Sequence, residues 1–200
     1  MSNINITGFK NIHFAPIKTQ DVGDVKPTYK TPVAIRGAKN VEISLNFENC
    51  VFYCDDTIGY QDNFFTGGEI TLSLAGLTAE EYALLFGNTV AQGGLTVNAN
   101  DLAVEGALLF EKKILGTNAV RRFVIYSAKM SPASVSAETI ADSIAESPIE
   151  ITGVCRMLST GEIYAMVDTN APNYDASLDN WYEEVKFLSE SPARIAIAKK

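Results

Sequence analysis

His13 is the chain's one histidine, so any imidazole chemistry has to pass through it. A zinc site takes three or four ligands, and a Ser-His-Asp relay needs the imidazole as its base. His13 lies in the strand-like run NIHFAP, where packing or surface exposure is the simpler reading. The cysteines, Cys50, Cys54 and Cys155, are three, an odd number that does not suggest a disulfide framework. In CVFYC, Cys50 and Cys54 would share one face of a strand about 13 Å apart, too far to bridge. They read as buried small hydrophobes. Asp55, Asp56 and Asp62 lack the spacing of a calcium loop and read as a solvated turn. Gly67-Gly68 and Gly93-Gly94 lack the Gly-Lys-Ser/Thr that completes a phosphate loop and read as turns. No G-x-S-x-G, H-E-x-x-H or C-x-x-C occurs. Carboxylate pairs suited to glycoside hydrolysis have to be judged by separation in space, which sequence spacing does not supply. The expectation is a protein without catalytic residues, metal or cofactor, and not an enzyme.

The elements that would position any site are mostly strands. In Lys39–Glu48, Val41, Ile43, Leu45 and Phe47 alternate with Glu42, Ser44, Asn46 and Glu48, the period of a half-buried strand. CVFYCDD reads as a second strand ending in an acidic turn, and EITLSL (Glu69–Leu74) as a third. Thr78-Ala79-Glu80-Glu81 has the form of a capping box. Tyr82, Leu85 and Phe86 give that short helix its stripe, and Gly87 can end it. Further strands are predicted at Ala107–Leu115, Val120–Lys129, Ile149–Leu158 and Glu162–Val167. Ser136–Glu146 carries a helical stripe but precedes Pro148 and is flanked by strands. In Ser177–Leu188, Leu178, Trp181, Tyr182 and Val185 lie at helical spacing, with Asp175 or Ser177 to cap a C-terminal helix. The fold expected is mainly β, an antiparallel sandwich or barrel-like sheet with one short central helix and one C-terminal helix.

The chain's 200 residues suit one domain with a core large enough to need no disulfides. Two stretches read as appendages: a loop or arm at about 18–38, broken by Gly23, Pro27, Pro32 and Gly37, and a tail at about 189–200. Residues 93–119 suggest no particular role. The N-terminus has no basic stretch leading into an apolar one, and no run is long and apolar enough to span a membrane. Both features point to a soluble protein made in a cytoplasm. A net charge of −8 argues against ordinary nucleic-acid binding, which clusters Lys and Arg against phosphates.

Four blocks, in order, resemble the major tail protein family of siphophages infecting Gram-positive bacteria. Gly8–Ile17 (GFKNIHFAPI) resembles the family's opening, and Gly67–Gly87 (GGEITLSLAGLTAEEYALLFG) its strand running into a capped helix. Ser136–Met157 (SAETIADSIAESPIEITGVCRM) is similar to its later Ser-Ala-Glu-Thr block, and Trp181-Tyr182 to its final Trp-bearing helix. The resemblance makes Ser143–Glu146 extended chain leading into a strand. It implies a structural virion protein, a tail tube subunit made in the host cytoplasm and assembled into stacked six-fold rings. Its partners would be itself, a tape-measure protein in the lumen, and tail terminator and distal tail or baseplate proteins. DNA would pass through without specific binding.

On this reading Glu42, Glu48 and Glu69, on polar strand faces, are candidates to line the lumen; the alternative is that they face outward. Lys18, Asp21, Lys26, Tyr29, Arg36 and Arg194 are candidates for arm contacts between subunits or rings, the arms ordering only on assembly. Rival readings are the tube of a contractile tail or secretion needle, and a non-stacking head-decoration or β-module.

Overall fold

A computed structural model describes residues 5–55, 57–131 and 148–188 of the chain. Eleven strands and one α-helix follow one another as β1 (Ile6–Thr19), β2 (Thr28–Tyr29), β3 (Val33–Ala34), β4 (Ala38–Cys54), β5 (Thr57–Leu74), α1 (Ala79–Phe86), β6 (Thr89–Ala91), β7 (Gly94–Thr96), β8 (Glu105–Ile114), β9 (Val120–Met130), β10 (Ile149–Cys155) and β11 (Tyr164–Asp168). Every pairing is antiparallel.

One long sheet runs β2-β1-β8-β9-β10-β5-β4, with β3 on the outer edge of β1 and β11 on β9. The far edge of β9 is divided. Its first half, Arg121–Ile125, pairs with β11, and its last residues, Ala128–Met130, pair with β10. The sheet splits there, and the β10-β5-β4 layer folds over the β1-β8-β9 layer as a sandwich that does not close into a barrel.

The inner faces meet in a core of Ile12 and Phe14 from β1, Leu108 and Phe110 from β8, Ile125 from β9, Ile70, Leu72 and Leu74 from β5, and Ile151 from β10. Burying each such side chain is worth about 1.5–3 kcal/mol. The back face of β8 and β9 is buried as well, with Ala107, Leu109, Val124 and Tyr126 beneath Leu158, Trp181 and Val185. Covering on both sides explains why Ala107–Phe110 and Phe123–Tyr126 are continuous apolar runs, whereas β5 alternates. The short helix closes one end of the core with Leu85 and Phe86. Its capping box is complete, with Glu81 N–H donating to Thr78 Oγ1 and Thr78 N–H to Glu81, and Gly87 ends it at φ 72°.

Several expectations need correction. No C-terminal helix forms across Ser177–Leu188: a 3₁₀ turn at Ala176–Leu178 is followed by turns and irregular chain. Two carbonyls of this stretch instead accept from β9 side chains. Leu178 O accepts from Arg122 Nη1 at 2.7 Å, and Lys186 O accepts from the Tyr126 hydroxyl at 3.2 Å. The apolar spacing served to bury Trp181 and Val185 against a sheet, which irregular chain does equally well.

CVFYC is no separate strand, because β4 runs unbroken from Ala38 to Cys54. Cys54 is exposed rather than buried, and Cys50 only half-buried; Cys155 is the one that behaves as a core hydrophobe. Gly67-Gly68 makes no turn. Gly67, at φ 138°, lies at an irregularity in the β4–β5 register, a bulge inside continuous β5. Gly93 does turn the chain between β6 and β7, and β7 and β8 occupy part of the unplaced stretch 93–119.

The 18–38 stretch, expected as an arm, lies against its own domain. Tyr29 and Thr28 pair with Ile17 and Thr19, Ala34 and Val33 pair with His13 and Phe14, and Ile35 enters the core. Ser136–Glu146, with the strand expected at Ser143–Glu146, and the tail with Arg194 lie outside the described residues.

Candidate assembly surface

β4 and β5 are much longer than the sheet that holds them. β10 accompanies β5 only from Gly68 to Leu74, and among the described residues no strand pairs with the outer edge of β4. From Asn46↔Gly67 to Cys54↔Thr57 the two strands therefore continue as a free-standing ribbon, roughly 25–30 Å long at the rise of a strand. An isolated two-stranded ribbon is marginally stable in water, and open edges template pairing with another chain. This ribbon carries both conditions, together with Phe47, Phe52, Tyr53, Ile58, Tyr60 and Phe64, all exposed.

Unbroken pairing from Phe47↔Phe65 to Phe52↔Tyr60 sorts the ribbon into two faces. One holds Phe47, Asn49 and Val51 opposite Phe65, Asn63 and Gln61, and carries no charge; Phe65 ties it to the core side of the sandwich. The other holds Glu48, Cys50 and Phe52 opposite Phe64, Asp62 and Tyr60. Phe47 meets Phe65 edge-on at 5.5 Å between ring centroids, and the Tyr60 hydroxyl donates to Asp62 at 2.7 Å. That bond holds the Asp62 carboxyl below its ordinary range.

The charged ribbon face continues into the outer face of the β4-β5-β10 layer. Alternation along β4 puts Glu42 and Ser44 on the same side as Glu48, and Glu42 pairs with Thr71 while Ser44 pairs with Glu69. Glu150 on β10 lies opposite Ser73. Glu42, Glu48 and Glu69 thus share one exposed face, joined by Asp62 and Glu150, with Lys129 at the β9 border. The alternation of polar residues identified the three glutamates. What sequence reading missed is the ribbon itself, although the aromatics crowded on both sides of Asp55-Asp56 were its signal.

The arm candidates are mostly occupied within the chain. Asp21 pairs with Arg156 at 2.6 Å and accepts from the Ser159 N–H, and Lys26 pairs with Glu162 at 2.5 Å and lies 4.6 Å from the Phe187 ring centroid. The Tyr29 hydroxyl donates to Tyr126 O at 2.7 Å, and burial pushes its pKa up. The Arg36 N–H donates to Glu81 at 3.0 Å. Lys18 is exposed on β1.

His13 packs its ring on Tyr182, 4.5 Å between centroids, as expected of a structural histidine. Tyr182 also donates to Glu111, a buried carboxylate that Asn11 and Lys10 satisfy further. Among the described residues no helix is long and apolar enough to cross a membrane. No protein-family model matches the chain, and no curated protein matches it in sequence.

Proposed function

We propose that this chain is the major tail tube subunit of a long-tailed, non-contractile phage, stacking as six-fold rings into a conduit for DNA. The observation that carries the reading is the β4–β5 ribbon, whose open edges and exposed aromatics leave a lone subunit incomplete. Pairing between subunits would remove the edges and close the β4-β5-β10 layers into a continuous wall. The acidic outer face, with Glu42, Glu48 and Glu69, then lines the lumen.

That charge suits passage rather than binding. Duplex DNA carries a phosphate charge every ~1.7 Å of axis, so a basic wall would hold it at every ring. Contacts of about 1 kcal/mol each, repeated along a tube, would sum to severe drag. A carboxylate wall repels weakly and lets the duplex slide. The tape-measure protein would occupy the same lumen during assembly, and terminator and baseplate proteins would cap the two ends.

The test is electron microscopy of the purified protein across a concentration series, with light scattering alongside. Hollow rings or tubes with a stain-filled channel are expected. A tube whose three glutamates all lie on the exterior would sink the lumen assignment, and a monomer at every concentration would favour a non-stacking module.

A further inference from the structure

Along the inner face of β8, Leu108 and Phe110 are followed by Lys112, a cation where the alternation calls for a hydrophobe. Lys112 is half-buried, and among the described residues its ammonium has no ion pair or hydrogen bond. It lines a cavity of about 280 Å³ at the open side of the sandwich, with Val41, Ile43 and Leu45 on one wall and Phe110, Phe123 and Tyr164 on the other. Phe110 and Phe123 stack there at 4.9 Å. The volume is below that usual for small-molecule sites, roughly 300–1,000 Å³, and suits one or two large side chains. The hole asks for an apolar group that brings a carboxylate with it.

The chain carries such a group at the far end of its ribbon. Tyr53 and Ile58 face each other across the strands, 71% and 57% exposed, and Asp55 follows in the turn at φ 50°. A subunit cannot fill its own hole, because β4 runs from the cavity wall at Val41–Leu45 outward to the tip. A knob and a hole at different places on one molecule make a head-to-tail contact, the kind that generates rings and filaments.

We propose that the ribbon tip of one copy docks in this cavity of a second copy, with Tyr53 and Ile58 against the apolar walls and Asp55 paired to Lys112. The proposal rests on the tube reading and adds the contact that joins subunits.

The test is a charge exchange in the full-length protein, read by light scattering and microscopy. Lys112→Asp and Asp55→Lys are each expected to raise the concentration needed for assembly at least tenfold, and the double variant to recover most of it. Circular dichroism melting checks that each variant folds; Lys112→Met, which suits an apolar wall, serves if Lys112→Asp does not. A photo-crosslinking phenylalanine analogue at Tyr53, in a mixture of ¹⁴N- and ¹⁵N-labelled protein, should join residues 110–125 of the oppositely labelled copy. Tubes that form equally well in both single variants, or folded single variants that fail without recovery in the double, overturn the docking and leave the tube reading standing. Wild-type protein that never assembles overturns both.

Discussion

Arg156 holds Asp21 across 135 residues of sequence, with Nη2 2.6 Å from Asp21 Oδ1 and Nη1 3.1 Å from Oδ2. The same guanidinium reaches Glu105 through Nε at 2.7 Å, and Glu105 also accepts from Ser127. One side chain therefore ties the 20–37 strap to β8 and β9. The Asp21 side chain is almost fully enclosed, while that of Arg156 remains partly in water, so the pair is worth more than a surface bridge and less than a dry one.

Asp21→Ala should leave the protein folded but about 1–2 kcal/mol less stable, toward the low end for a charge-assisted bond because Arg156 is partly in water. Amides from Val22 to Lys30 should exchange faster, because this anchor fixes the start of the strap. Exchange unchanged there would show that Tyr29 and Ile35 hold the strap alone.

The pH dependence of the same pair has a definite sign. The Arg156 hydrogen bond holds the Asp21 carboxyl far below the usual carboxylate range. Burial pulls Glu105 upward, but its bonds from Ser127 and Arg156 outweigh that and leave it lowered. Folded pKa values below the unfolded ones, about 4, give stability that is present above pH ~4 and lost as the pH falls below it. The stability gap between wild type and Asp21→Ala, from urea unfolding, should therefore be full at pH 6 and shrink by pH 2.5.

Trp181 is completely buried on the back face of the sheet, and among the described residues its indole N–H has no partner. Trp181→Ala should cost about 3–5 kcal/mol by opening a cavity. Trp181→Phe should cost distinctly less, since it removes an unsatisfied donor along with part of the ring. Urea midpoints of the two variants measure the difference.

Gly106 is a packing glycine. A Cβ there would lie 2.5 Å from Ala15 O and 2.6 Å from the Phe14 ring. Because the first of these is backbone in a paired strand, Gly106→Ala should destabilise by about 1–3 kcal/mol. A melting temperature equal to wild type would mean that β1 can shift.

Thr78→Ala removes the helix cap and should cost about 1 kcal/mol. Glu81→Ala should cost more, because the Glu81 carboxylate also accepts the Arg36 N–H from the strap. Equal losses, measured by thermal melts, would show that the strap gains nothing from that bond.

The period of the residues determined a great deal by itself. Alternation placed β8, β9, β10 and β11 within a few residues but caught only Lys39–Glu48 of β4 and Glu69–Leu74 of β5, and Thr78-x-x-Glu81 with Gly87 bounded the helix, since caps and two-residue alternation are local chemistry. The shared face of Glu42, Glu48 and Glu69 follows from that alternation once β4 and β5 are paired. Tertiary structure decided what local chemistry leaves open. Whether Trp181, Tyr182 and Val185 bury themselves as a helix or as loose chain depended on Arg122 and Tyr126 competing for carbonyls, and those residues lie more than fifty positions away. The strap's anchoring depended on Arg156, a partner no local pattern announces. The free ribbon arose because β10 stops at Cys155, opposite Gly68, so how far one strand accompanies another set which apolar residues were left exposed.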